Sequence, residues 1–236
     1  MDKILAILSV GLMLTVGGGG IVRAGPLEDG VIDEPFGLAT VIAPDDAFGV
    51  KWRQLQSEVR SDERIITQCR AEPNICVSPA APRFLAIVNE ARQYKGLTRI
   101  GHINRGINLA IRPMDNAAER DNDEWKSPLA ALASGVGNCT AYAITKYAAL
   151  RDAGIAEDEL RLIIVPIKSR RGTHMVVAVR NFGHWIILDN RSMALVESSE
   201  LHDYLPLFTL DHRGVRQFVQ PTNPKVAGAP CTGACS

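Results

Sequence analysis

The stretch Gly135-Val136-Gly137-Asn138-Cys139-Thr140-Ala141-Tyr142-Ala143-Ile144-Thr145-Lys146-Tyr147-Ala148-Ala149-Leu150 decides the reading of this chain. Asn138 is a good N-cap, and the run of Ala, Tyr, Lys and Leu after it predicts a helix that starts at Cys139. A thiol in the first turn of a helix faces free N–H groups and the positive end of the dipole. Both stabilise the thiolate, which is the nucleophilic form.

Two strands downstream carry the groups such a thiol needs. Thr173-His174-Met175-Val176-Val177 places a histidine in one, and Trp185-Ile186-Ile187-Leu188-Asp189 ends the next on an aspartate. They are joined by Asn181-Phe182-Gly183-His184. A two-residue loop pairs Asn181 with His184 and a four-residue loop pairs Arg180 with Trp185, and both give one register. In it Val176 lies opposite Asp189 and His174 opposite Arg191. Period two then puts His174 and Asp189 on one face as diagonal neighbours, roughly 5–8 Å apart between Cβ atoms. An odd loop would separate them. Taken singly, a cysteine reads as a small hydrophobe and a strand histidine as a structural residue. Together, in the order Cys, His, Asp, they read as a catalytic triad.

Residues 1–24 have the pattern of an export signal: Asp2-Lys3, an apolar run from Ile4 to Val16, and Val22-Arg23-Ala24 before Gly25. The run Gly17 to Gly20 argues against a membrane-spanning helix, with a retained, uncleaved anchor as the other reading. The remaining 212 residues fit one domain. Their 24 basic and 25 acidic side chains form no basic run, which excludes nucleic acid as an expected partner.

Five cysteines in an exported chain invite pairing. Cys69 and Cys76 bracket a turn-rich loop that a disulfide can close, and Cys231 and Cys235 flank a short Pro- and Gly-rich stretch that can close a second ring. That leaves Cys139 as the expected free thiol, although five cysteines allow other combinations.

The chain divides into a signal (1–24), an extended leader (25–47), a domain (48–220) and a flexible tail (221–236). Helical spacing runs from Phe48 to about Arg70, with Ser61-Asp62 as a candidate break, from Pro82 to Tyr94, and from Ile100 to Ile111 with Asn104 and Asn108 one turn apart. Pro113 to Lys126 is a polar loop holding Trp125, after which Ser127 is expected to cap a short helix beginning at Pro128. Ala153-Gly154 ends the Cys139 helix, Leu160 to Ile167 is a strand, Glu200 to Leu207 a short helix, and Phe208–Leu210 and Val215–Val219 further strands.

Asp123-Glu124-Trp125-Lys126-Ser127-Pro128, Gly135-Val136-Gly137-Asn138-Cys139, Tyr142 to Tyr147, Gly172 to Val176 and Leu188-Asp189-Asn190 together resemble the bacterial transglutaminase-like cysteine proteinases. The likeness extends upstream through Trp52, the Cys69 and Cys76 pair, and Asn104 with Asn108, and the block around Cys139 is its most specific part. The resemblance implies an α+β, papain-like or transglutaminase-like fold, with an N-terminal helical lobe on an antiparallel sheet. It also implies a Cys-His-Asp triad and export to the periplasm. The best-known branch releases biofilm adhesins, depends on calcium, and is held by a membrane-bound cyclic-di-GMP receptor. That branch carries acidic residues around the nucleophile where this chain has Asn138, Thr140, Ala141 and Ala130. Calcium wants several oxygen ligands, usually with carboxylate charge. Ala130 and Ala141 offer none, so no metal and no cofactor are expected, and Asp121-Asn122-Asp123-Glu124 reads as solvated loop charge.

The function expected is an exported cysteine peptidase that cleaves a peptide amide of a secreted or surface protein. Cys139 attacks, His174 moves the proton and Asp189 orients the imidazole. Asn138 and Trp125 are candidates for shaping the substrate or oxyanion site. A monomer is expected, with a membrane receptor as a candidate regulator. An amide-crosslinking or deamidating transferase on the same triad, and a non-catalytic periplasmic binding module, are the alternatives.

Overall fold

The computed structural model describes residues 34–44, 47–114, 124–166, 172–202 and 204–220. The expected signal and the Cys231 and Cys235 ring lie outside the described residues, as do Asp121, Asn122 and Asp123.

The central element is the Cys139 helix. Helices α1 (Ala47–Ala71), α2 (Ala81–Ala91), α3 (Gly96–Ala110) and α4 (Pro128–Ser134) precede α5 (Cys139–Asp152). Every residue of α5 from Cys139 to Leu150 is buried. A helix enclosed on all sides must be wrapped, and α2, α3 and α4 pack on it from one side while the sheet takes the other. Asn138 supplies the expected cap: its Oδ1 accepts from the Ala141 N–H at 3.1 Å and from the Thr140 hydroxyl at 2.6 Å. Gly137 has to be glycine, because a Cβ there would lie 2.7 Å from the Ala141 Cβ.

Asp62 does not break α1, which runs through it. Its carboxylate instead accepts the Leu129 N–H at 2.8 Å, so it caps α4 from a distance. Ser127 occupies the cap position but makes no capping bond to the helix with its side chain. The carboxylate is the stronger acceptor and takes its place.

The sheet has seven strands in the order β1-β9-β8-β4-β5-β6-β7, every neighbouring pair antiparallel. These are β1 (Thr40–Ile42), β4 (Leu160–Pro166), β5 (Thr173–Asn181), β6 (His184–Leu188), β7 (Leu195–Glu197), β8 (Phe208–Asp211) and β9 (Gly214–Phe218). A separate parallel pair, β2 (Arg112–Pro113) with β3 (Val136–Gly137), ties the end of α3 to the start of α5. The hairpin register is the expected one: Asn181 faces His184 and Val177 faces Leu188. Phe182 (φ 50°) and Gly183 (φ 85°) make the two-residue turn, both in the left-handed region that a tight hairpin favours.

Alternation along β4 and β5 sorts two cores. Leu160, Leu162, Ile164, Met175, Val177 and Val179 face the helices. Ile163, Val165, Val176 and Ala178 face the other way, against Trp185, Ile187 and Phe218. That second face is covered by Phe36 and Leu38 from the leader and by Leu201 and Tyr204. The leader's end is thus built into the fold: β1 pairs with β9, and the buried Glu34 carboxylate accepts from Arg161 Nε at 3.0 Å. The expected helix over 200–207 does not form; Ser198–Glu200 is a short 3-10 turn followed by irregular chain. Its Leu201 and Tyr204 are spent on covering the sheet, which requires no helical period.

Cys69 and Cys76 are disulfide-bonded, with 4.6 Å between their Cα atoms, closing the turn after α1. Among the described residues no helix is long and apolar enough to cross a membrane.

Candidate functional site

His174 and Asp189 meet as the register requires. His174 Nε2 lies 2.9 Å from Asp189 Oδ1. His174 sits opposite Val165, on the sheet face away from the helices, at the end of β5 where α5 abuts the strand. The N–H of Met175, the residue after His174, donates to Cys139 Sγ at 3.3 Å. The sulfur therefore lies against the backbone that carries the imidazole. Cys139 and His174 are each 2 % exposed.

Asp189 is held on every side. Its Oδ1 also accepts the Arg191 N–H at 2.9 Å, and its Oδ2 accepts the Tyr204 hydroxyl at 2.9 Å. Burial works to raise its pKa. The hydrogen bond and charge of His174, the Arg191 N–H and the Tyr204 hydroxyl outweigh burial and hold the carboxyl well below the usual carboxylate range. An ionised carboxylate only accepts, so Nε2 carries the proton in this pair. That leaves Nδ1, which is buried and has no hydrogen-bond partner, as the nitrogen able to take one. Burial first, and then the charge of Asp189, push the Tyr204 hydroxyl above its ordinary value, so it stays a donor.

The free-thiol expectation for Cys139 is not met. Cys139 is itself disulfide-bonded. The reason is chemical: a position that favours the thiolate also favours thiol–disulfide exchange, since the thiolate is the reactive form in both.

Asn138 and Trp125 have separate places. Asn138 is the cap of α5, immediately before the sulfur, with its Oδ1 engaged by two donors. Trp125 packs edge-on against Phe48 at 5.2 Å and Trp52 at 6.5 Å between ring centres, with the Lys51 ammonium over its ring. Those contacts belong to α1.

Three supports of the site went unread in the sequence. Tyr204 lies in irregular chain whose contact with Asp189 is purely tertiary. Asn104 and Asn108 were visible as a helical pair, but not what they hold. Asn104 Nδ2 reaches the carbonyls of Ser192 and Met193, and Asn108 Nδ2 those of Asp189 and Ser192, at 3.2–3.4 Å.

A calcium ion does not fit around Cys139. Ala130 and Ala141 have no side-chain oxygen, and the Asn138 oxygen already receives two donors.

The family profile of the bacterial transglutaminase-like cysteine proteinases matches residues 64–205, more than half of the sequence. The chain belongs to that family. It is accordingly a transglutaminase-like cysteine peptidase with a protein substrate. Solved structures of Legionella pneumophila LapG share its fold. One is 21 % identical with a TM-score of 0.54, covering 66 % of this chain and 86 % of that one. A calcium-bound form is 20 % identical with a TM-score of 0.54, covering 70 % and 93 %. No curated protein matches in sequence. The papain-like α+β architecture read from the sequence is the one observed.

Proposed function

We propose that this is an exported, periplasmic peptidase that cleaves a peptide amide through Cys139, His174 and Asp189. The observation that carries it is the 2.9 Å pair of His174 with an ionised Asp189, on the strand end whose next N–H meets the Cys139 sulfur. In the disulfide-bonded form the sulfur cannot attack. An external thiol gives its proton to His174 Nδ1 and attacks the S–S bond, forming a mixed disulfide with the departing sulfur and releasing Cys139 as a thiolate, which a helix start stabilises. Cys139 then attacks the amide carbonyl to give a thioester, and the proton held at His174 Nδ1 goes to the leaving amine. Water activated by the same nitrogen hydrolyses the thioester. Asp189 holds the Nε2–H tautomer and stabilises the imidazolium. The N–H of Cys139 is the natural oxyanion donor, since it leads the helix.

Two experiments test this. A Cys139→Ser variant, used to trap partners from an exported proteome, should retain a protein that the wild type cleaves only after mild reduction. Equal cleavage by wild type and Cys139→Ala would overturn the assignment. Turnover is also expected to persist in a calcium chelator, because the residues around Cys139 cannot hold the ion; loss in chelator with rescue by added calcium would show otherwise.

A further inference from the structure

Lys146 is the residue of α5 that the chemistry above leaves unused. Its relative exposure is zero, and its Nζ has no hydrogen-bond partner. An ammonium with no direct partner in the interior costs several kcal/mol as a rule, so the position is expensive unless it serves something. Two turns separate it from Cys139 on the same helix, and helical side chains lean back toward the N-terminus. Its stem therefore runs toward the site.

Around α5 pack α2, α3, α4 and the sheet. The helix-facing residues of β4 and β5 are apolar, as are Phe84, Leu85 and Val88 of α2 and Leu129 and Leu132 of α4. α3, which packs on α5, carries two amides, Asn104 and Asn108, whose Nδ2 groups grip the turn over 189–193 while their Oδ1 atoms, like the ammonium, are buried without partners. Asn190 Oδ1, within that turn, is unpartnered too. The charge acting on Lys146 is that of Asp189, which favours the ammonium but does not cancel the effect of burial: burial first brings its pKa down to about 7. His174, Tyr204 and the Arg191 N–H surround the same carboxylate from its other sides.

We propose that Lys146 is a positioning residue of the triad, its buried ammonium completing with Asn104 and Asn108 a polar support beneath the turn that holds Asp189. Orphan donors and orphan acceptors on α3, α5 and the turn are matched in kind, and a buried water satisfies such sets. The support acts through Asp189: it fixes the carboxylate from the helix side and offsets part of its charge, so that His174 can return its proton. This rests on the triad reading given above.

The test needs no substrate. Cys139 is freed by mild reduction, and its rate of alkylation by iodoacetamide is followed from pH 5 to 9 in wild type, Lys146→Met and Asn108→Ala, with thermal unfolding recorded alongside. Removing a cation raises nearby pKa values, so Lys146→Met should react about threefold more slowly below pH 7, equivalent to half a pKa unit. The two curves should converge above about pH 8, where the wild-type amine has lost its proton. A folded Lys146→Met whose profile superimposes on wild type overturns the proposal, as does a loss of equal size at every pH, which a merely structural role would give. If Lys146→Met does not fold, Asn108→Ala decides: a profile displaced relative to wild type supports the support role, and an unmoved one overturns it. Failure of the triad reading shows elsewhere, in a wild-type Cys139 that reacts at pH 6 no faster than a free cysteine peptide, and it removes both.

Discussion

The two faces of the sheet are built on different terms. The helix face carries a thick apolar core, in which Phe84, Ile100, Leu132 and Leu150 are essentially inaccessible. The opposite face has a thin cover made of a few residues from distant parts of the chain: Phe36, Leu38, Leu201 and Tyr204. The polar groups differ accordingly. Against the helices lies a lysine with no direct partner; on the thin face His174, Asp189, Tyr204, Glu34 and Arg161 are bonded to one another in two clusters. The thick side carries the packing, and the thin side carries the groups that the proposed function uses, with Cys139 delivered to the boundary by a helix that belongs to the first.

The largest effects expected separate the two. Cys139→Ala and His174→Ala should abolish turnover, and Asp189→Asn should reduce it on the order of a thousandfold or more with circular dichroism unchanged. The three should be non-additive, because they act as one unit. A Cys139→Ala enzyme with near-normal turnover would break the comparison at its root. Next comes Phe84→Ala on the thick side, which should cost about 3–5 kcal/mol in denaturant unfolding while leaving the activity of the folded fraction intact. On the thin side, Glu34→Ala leaves the Arg161 guanidinium buried without its carboxylate partner. A loss of about 3 kcal/mol is expected, at the low end for a broken buried pair because the Asp211 carboxylate is 3.6 Å away. The smallest effect sharpens the picture most. Tyr204→Phe removes one hydrogen bond to Asp189 and should lower turnover about tenfold, equivalent to about 1.4 kcal/mol, with little change in unfolding midpoint. A large stability loss instead would make Tyr204 a packing residue.

What the sequence disclosed follows from range. The Cys139 helix was readable because its cap, Asn138, is adjacent to it, and the hairpin because an even loop and period two fix the register without outside help. Those two local facts place three side chains. What was missed is non-local. Tyr204 meets Asp189 across 15 positions of chain, and Glu34 meets Arg161 across 127. Asp62 displaced Ser127 as a cap by reaching from another helix. The state of Cys139 was missed for a different reason: counting cysteines tells how many can pair, and the same reactivity that marks a nucleophile makes it a ready partner.

Glu34 gives the chain a boundary that can be sensed. A cut before Gly25, where the proposed export signal would end, would leave nine residues ahead of Glu34 and spare its bond to Arg161. Trimming beyond position 34 strips the guanidinium of this carboxylate, and trimming beyond position 36 also removes the first piece of the sheet's thin cover. An over-processed copy is then destabilised through its own interior, and becomes the copy that housekeeping proteases meet most often unfolded. A single buried ion pair thus sets how much of the N-terminus is dispensable.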